Sequence, residues 1–144
     1  METTTLPRNA TATATAADAD RIAAPRLTRA VASLIMACIF LQALLAGGFL
    51  AGRIPLAFHA GIGHTLGLLG FIILVAGLVG RRSVREPAST LAARITLFVA
   101  IAITIGAGTI AHMGTRDLLM LHIPLAIFAM GTADGLRTAG RRGA

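Results

Sequence analysis

Four long runs without charged residues divide the chain into its predicted elements. The runs cover residues 30–52, 54–80, 95–115 and 118–133, and the last extends to 136 if Asp134 reaches the membrane surface. A helix rises about 1.5 Å per residue and a bilayer core is about 30 Å thick, so about 20 apolar residues cross it. We therefore predict an all-α fold, an integral membrane up-down-up-down four-helix bundle with short connections between antiparallel neighbours.

Both ends of the chain lie outside these runs. Residues 1–26 are rich in threonine and alanine and have no sustained apolar periodicity, so we expect a disordered cytoplasmic tail. The bundle is expected to cover residues 27–137, followed by a basic tail at 138–144. The first run is too long for the core of a cleaved signal peptide, so it is predicted to remain as the first span. Pro124 is expected in the first turn of the fourth helix, where proline is tolerated.

The arginines predict the orientation of the bundle. The chain has 13 basic residues, all of them arginine, and a formal net charge of +7. Eleven of them fall on the side of the two termini and of the connection before the third run, and only Arg53 and Arg116 fall on the other side. Because cytoplasmic loops accumulate positive charge, we expect a multi-pass protein of the bacterial inner (plasma) membrane with both termini in the cytoplasm. The basic charge then serves topology and contact with the lipid bilayer, and no nucleic-acid partner is expected.

All four histidines fall in the predicted outer half of the spans. His59 and His64 lie at the start of the second helix, His122 at the start of the fourth, and His112 at the end of the third. A titratable side chain inside a span is costly, which makes it a candidate for a functional site. Two neutral imidazoles on facing helices of a bundle can ligate a haem iron from both sides.

The partner of His122 stays open between His59 and His64. Five residues of helix correspond to a rotation of about 140°, so these two histidines cannot both point at one site. The small residues around His64 favour it slightly, since they leave room for a flat macrocycle as well as for another helix. Arg53 and Arg116 are the candidates to pair with the carboxylates of a haem.

Two further classes of function compete with haem binding. The histidines His59, His64, His112 and His122 could hold Zn or Cu directly, although Asp117 is the only acidic residue predicted nearby. Alternatively, the protein is a non-catalytic scaffold or accessory protein whose histidines only link helices by hydrogen bonds. No hydrolase motif is present, so enzymatic activity is left open and leans towards none. The single cysteine, Cys38, excludes an intramolecular disulfide.

Several local sequences carry a resemblance to a known family. They are QALLAGG at 42–48, the histidine-rich start of the second helix with GLLG at 67–70, the arginine pair at 81–82, and LHIPLA at 121–126. The layout resembles one four-helix half of the haem A synthase family, and it is similar to small bacterial four-span membrane proteins. That resemblance implies haem b held by His122 and by His59 or His64. It also implies a role in electron transfer or haem handling, with a homodimer or a respiratory or haem-handling membrane protein as partner.

The chain departs from the pattern of that family at several positions. It has no glutamate before either histidine of the second helix, no arginine directly after them, no cysteine pair and no second half. The resemblance therefore implies binding of haem b without implying synthesis of haem A.

Overall fold

A computed structural model of the protein describes residues 16–80 and 88–139, so residues 1–15 and 140–144 of the predicted tails lie outside the described part. The helices are α1 (Ala16–Leu50), α2 (Leu56–Gly80), α3 (Ala88–His112) and α4 (Leu119–Ala139), with a short 3₁₀ turn at Arg116–Leu118. All four helices contain a segment long and apolar enough to cross a membrane. The predicted all-α fold with four spans is confirmed, and the chain is a multi-pass membrane protein.

The four helices form a closed ring of neighbours. α1 packs against α2 and α4, and α3 packs against the same two helices. As a result α2 and α4 lie diagonally across the bundle, and only side chains can bridge the space between them. We call the end with the connections 51–55 and 113–118 the histidine end, and the opposite end the Arg94 end.

Two helices begin earlier in the chain than predicted. α1 begins at Ala16, ten residues before the apolar segment that starts at Arg26, so residues 16–26 are helical where a disordered tail was expected. Half of residues 16–25 are alanine, the residue with the highest helix propensity, which favours continuing the helix beyond the membrane segment. α3 begins at Ala88 and not near Ile95. The prediction started the span after the charged Arg94, whereas the structure includes Arg94 within the helix.

Arg94 directly precedes the third apolar run and is one of the eleven arginines counted above, so the sequence analysis assigned it to the connection before that span; the structure corrects this assignment. Its side chain is only 2% exposed. Nη1 donates to the main-chain oxygen of Ile73 on α2 at 3.1 Å, and Nη2 donates to Oγ1 of Thr28 on α1 at 2.8 Å. A Cβ on Gly77 would lie 2.6 Å from Cδ of Arg94, so glycine is required there for the guanidinium to pass. Arg94 therefore links three helices instead of marking a loop.

The sequence carried a signal for this buried arginine. Leu91, Arg94 and Leu97 follow one another at helical spacing, and all three are buried. An arginine on the apolar face of a helix indicates a buried polar contact. The sequence analysis missed this contact because it began the third span after the charged residue.

Pro124 also lies elsewhere in its helix than expected. It is the sixth residue of α4, beyond the first turn. Because proline has no N–H, the carbonyl of Met120 does not receive the usual hydrogen bond from the fourth following residue.

Glycine ends the helices at the histidine end. Gly52 adopts φ 68° and Gly114 adopts φ 128°, a backbone region that side chains with a Cβ rarely enter. After α1 the amide of Arg53 donates to the carbonyl of Gly48 at 2.9 Å, which closes the turn. These tight turns bring α2 back beside α1, and α4 back beside α3.

The interior of the bundle is packed unevenly along its length. Ile35, Ile73 and Leu97 are fully buried in the half near the Arg94 end, together with the small side chain of Ala133. These residues belong to one continuous apolar cluster that joins all four helices. Towards the histidine end the helices instead enclose a cavity.

Candidate functional site

The cavity has a volume of about 470 Å³ and is lined by side chains from all four helices. This volume lies within the range of roughly 300–1,000 Å³ that is usual for small-molecule sites. Most of the wall is apolar, and its polar side chains are few. They are Gln42, His59, His64, Thr104, Thr109, His112 and His122. All four histidines therefore line one cavity, as their predicted clustering required.

His59 on α2 and His122 on α4 face each other across the cavity. Their ring centroids lie 6.1 Å apart, with 52° between the ring planes. Two imidazoles bound to opposite sides of one metal ion have centroids about 6 Å apart, from two bonds of about 2 Å and roughly 1 Å inside each ring. The observed separation agrees with this value, and it also lies within the range of roughly 4.5–7 Å that is usual for two rings in contact.

His122 is held in one orientation by α3. Its Nδ1 lies 2.8 Å from the main-chain oxygen of Thr104. A carbonyl oxygen only accepts hydrogen bonds, so Nδ1 carries a proton, and Nε2 is the nitrogen of this ring that can offer a lone pair. The ring also lies against Gly108, where a Cβ would be 2.9 Å from Cε1 of His122.

His59 interacts with the main chain of Gln42 on α1. Its Nδ1 is buried and has no hydrogen-bond partner among the described residues. Gln42 lies on α1 and also lines the cavity. Its Oε1 is likewise buried and has no hydrogen-bond partner among the described residues. The Gln42 side chain packs against α2, where a Cβ on Gly63 would lie 3.1 Å from its Nε2. Buried polar atoms are usually paired, so these two mark the part of the wall where a ligand is expected.

The structure separates His64 from the facing pair. His64 is exposed, and its Nδ1 lies 2.8 Å from the carbonyl oxygen of Ala60 on its own helix. The sequence analysis favoured His64 slightly as the partner of His122, whereas the ring that faces His122 belongs to His59. The reason is the helical rotation between the two positions, which brings His59 to the diagonal of the bundle.

His112 lies at the exposed end of α3. Its ring packs edge-on against Phe49 of α1, with centroids 5.8 Å apart and an interplanar angle of 77°. This contact connects the ends of α1 and α3 beside the opening of the cavity.

The arginines predicted for the site lie in the connections. Arg53 is exposed between α1 and α2, and Arg116 begins the 3₁₀ turn before α4, where its side chain is outside the described part of the structure. Among the described side chains, those that line the cavity include no arginine. A contact between either arginine and a ligand in the cavity stays a prediction.

A metal site of three or more protein ligands is not found in residues 16–80 and 88–139. No three histidine, cysteine or acidic side chains come together there in a way that could hold a metal ion. Protein zinc sites use three or four such ligands, so the facing pair by itself does not make one.

Comparisons of the chain with protein families, with curated proteins and with solved structures gave no match. The resemblance to one half of the haem A synthase family therefore stays a prediction, and the site is argued from its own geometry.

Two residues of the site were missed by sequence reasoning. Thr104 and Gly108 are four residues apart on α3, one turn of helix, and together they hold and accommodate the His122 ring. The chain has 16 glycines, so nothing in the sequence distinguishes Gly108 from glycines that only allow helices to pack.

Proposed function

We propose that this protein binds haem b inside the membrane, that His59 and His122 would hold its iron, and that the protein serves electron transfer or haem handling. The observation that carries the proposal is the separation of 6.1 Å between the two rings, which lie on opposite walls of an apolar cavity. Bis-histidine ligation between facing helices of a bundle uses this arrangement.

The rest of the wall is compatible with a flat apolar macrocycle. Ala60, Gly63, Gly108 and Ala126 line the cavity and leave space between the helices. The chemistry that a bound haem supplies is one-electron exchange at its iron. The protein contributes the two imidazoles, an apolar surrounding that excludes water, and an anchor for His122 on α3.

The carboxylates of a haem need a polar edge, and the histidine end provides one. Arg53 and Arg116 are the arginines at that end, and we propose that they pair with these carboxylates by charge-assisted hydrogen bonds. An electron-transfer role also requires a redox partner, for which a second copy of the chain or a respiratory or haem-handling membrane protein is the proposed class.

The orientation in the membrane is part of the same proposal. Removing the buried Arg94 from the count leaves ten arginines towards the termini (11 − 1 = 10), against two at the histidine end. The bias still favours cytoplasmic termini in a bacterial plasma membrane, and it puts the haem site near the outer leaflet.

Absorption spectroscopy of the protein purified in detergent, after expression with a haem supply, tests the proposal. We expect about one haem per chain with the spectrum of a low-spin b-type cytochrome, as bis-histidine ligation requires. The double variant His59→Ala/His122→Ala should lose that spectrum. The matched control His64→Ala/His112→Ala removes two imidazoles from the same cavity and should keep it.

The same preparation decides between the competing functions. Colourless protein that contains stoichiometric Zn or Cu would replace the haem proposal with a metal site. Colourless, metal-free and normally folded protein would favour the scaffold. If only the control variant His64→Ala/His112→Ala lost the spectrum, His59 and His122 would not be the ligands, and the proposed assignment would be wrong.

A further inference from the structure

The wall of the cavity is not equally closed on its four sides. In the described helices, α1 has no buried residue after Ile35 and α4 has none before Ala129. α2 and α3 keep buried residues in the same half of the bundle, among them Gly63 and Gly108. The interior is therefore well covered by α2 and α3 and poorly covered where α1 meets α4.

Three of the four sides are closed by a glycine that lets a neighbouring helix approach. A Cβ on Gly63 of α2 would lie 3.1 Å from Nε2 of Gln42 on α1, and a Cβ on Gly67 of α2 would lie 3.2 Å from Cδ1 of Ile105 on α3. Gly108 of α3 lies against α4 in the same way. Among the described residues, no glycine contact of this kind joins α1 and α4.

The side between α1 and α4 carries large apolar side chains that are exposed. On α4, Ile123 and Ile127 line the cavity and are 64% and 60% exposed, and on α1 Phe40 lines it and is 59% exposed. In the described part of the chain, every large apolar side chain that both lines the cavity and is exposed belongs to these two helices. They are Phe40, Leu50, Leu119, Ile123 and Ile127. Because lipid surrounds a spanning helix, the cavity borders the bilayer here.

Helix geometry agrees with this placement. Gln42 packs against α2, and Ala43, which is exposed and lines the cavity, lies about 100° further around α1. His122 contacts α3, and Ile123 lies about 100° further around α4. Both residues are turned away from the packed sides and still border the cavity, so they face the side that α2 and α3 leave free.

This side of the wall lies deep in the span. Phe40 is ten residues before the end of α1 at Leu50, and Ile127 is eight residues after the start of α4 at Leu119. At about 1.5 Å per residue, these side chains lie about 15 Å and about 12 Å from the histidine end. Both depths fall within the hydrocarbon core, which is about 30 Å thick.

The end of the cavity that faces water is narrowed by an aromatic contact. Phe49 of α1 and His112 of α3 both line the cavity, and their ring centroids lie 5.8 Å apart. Since α1 and α3 lie diagonally across the bundle, these two rings reach across the mouth of the cavity. Entry from water would have to pass them, whereas entry from lipid would not.

We propose that ligands enter the cavity sideways, from the hydrocarbon phase of the bilayer, through a portal between α1 and α4. The portal is defined by four exposed residues that line the cavity, Phe40, Ala43, Ile123 and Ile127. A ligand that uses this route is a molecule that dissolves in the membrane. For the haem proposed above the portal means delivery from the bilayer, and this part of the inference rests on the proposed function. The portal itself does not.

The haem-free protein in phosphatidylcholine vesicles tests the portal directly. A nitroxide label at Ala126→Cys, in a Cys38→Ser background, lies on the cavity wall of α4. Molecular oxygen, which as an apolar molecule prefers the bilayer core, should relax this label more than a water-soluble nickel complex does. The control label at Ala51→Cys, in the exposed turn at the histidine end, should show the opposite preference.

Two tryptophan variants locate the entrance. Ala43→Trp fills the portal and should reduce the effect of oxygen on the label at position 126. Ala60→Trp is the matched control, because Ala60 is also an exposed alanine of the cavity wall but lies on α2. It should leave the effect unchanged. A label at position 126 that responds more to the nickel complex than to oxygen would overturn the portal, since the cavity would then open to water.

Uptake of haemin from preloaded phosphatidylcholine vesicles tests the route for the proposed ligand. Ala43→Trp should slow the appearance of the haem spectrum several-fold while the final haem content stays that of the wild type. Ile123→Ala widens the portal and should speed uptake. Ala60→Trp should load at the wild-type rate.

The possible failures are distinguishable. Equal uptake rates in the wild type, Ala43→Trp and Ile123→Ala would overturn the portal, and slower uptake in Ala60→Trp alone would put the entrance between α2 and α3. A wild-type protein that takes up no haem would reject the proposed function, and the oxygen measurement on the haem-free protein would still decide whether the portal exists.

Discussion

His122 of α4 occupies the space that a side chain at Gly108 of α3 would fill, since a Cβ there would lie 2.9 Å from Cε1 of the imidazole. The contact explains why the ring stays next to the Thr104 carbonyl. It also gives a way to disturb a proposed ligand without replacing it.

Gly108→Ala should displace the His122 ring and weaken haem retention. Filling a packed space usually costs about 1–3 kcal/mol, and here the ring also loses its bond to Thr104. The haem-to-protein ratio and the thermal stability in detergent measure the effect. The matched control is Gly106→Ala on the same helix, where a Cβ would meet none of the described atoms within 4 Å. Equal behaviour of the two variants would contradict the assigned contact.

Arg94→Met should destabilise the bundle. Methionine keeps most of the apolar stem and removes the donors to Ile73 and Thr28. Hydrogen bonds to charged groups contribute about 1.5–3 kcal/mol each, so a loss of at least about 2 kcal/mol is expected in an unfolding titration.

Arg137→Met is the matched control for the loss of a guanidinium. Arg137 forms a partly exposed pair with Asp134 one turn away, with Nε 2.9 Å from Oδ1. Exposed pairs contribute about 0–1 kcal/mol, so this variant should unfold nearly as the wild type. A larger effect at Arg137 than at Arg94 would show that the buried contacts do not stabilise the bundle.

Gly77→Ala should destabilise the bundle through the same arginine. The added methyl would lie 2.6 Å from Cδ of Arg94, whose guanidinium is fixed by its hydrogen bonds and cannot simply turn away. We expect a lower midpoint of thermal unfolding. For Gly80→Ala, three residues further along α2, the added methyl meets no described residue within 4 Å, and the variant should leave the midpoint unchanged or raise it. No difference between the two alanine variants would refute the close approach.

Gln42→Met should leave the haem-free protein as stable as the wild type or make it more stable. Oε1 of Gln42 is buried without a partner in the described residues, and such an atom costs about 1–3 kcal/mol. Methionine fills a similar volume with no polar oxygen. Unfolding of the haem-free protein in detergent measures the change, and a loss of more than about 1 kcal/mol would mean that Gln42 has a stabilising partner.

The orientation can be measured with single cysteines in a Cys38→Ser background. Ala51→Cys lies in the exposed turn at the histidine end, and Ala139→Cys lies at the exposed end of α4. A membrane-impermeant thiol reagent should label position 51 in intact cells and position 139 only after the cells are opened. The reverse labelling would put the termini outside the cell.

The sequence by itself determined the number of spans and the presence of histidines at one end of the bundle. Span length, lack of charge and tight turns at Gly52 and Gly114 are local properties, and a bilayer converts them directly into helices. The order of the spans also placed His59, His64, His112 and His122 at the same end of the bundle.

Only the tertiary structure decided which side chains meet. Whether His59 or His64 faces His122 depends on the rotation of α2 about its axis, and that rotation is set by the packing of all four helices together. The same packing buries Arg94 by offering it acceptors on α1 and α2, which are far from it in sequence. The number of residues between two side chains fixes their relation along one helix, whereas contacts between helices follow from how their surfaces fit.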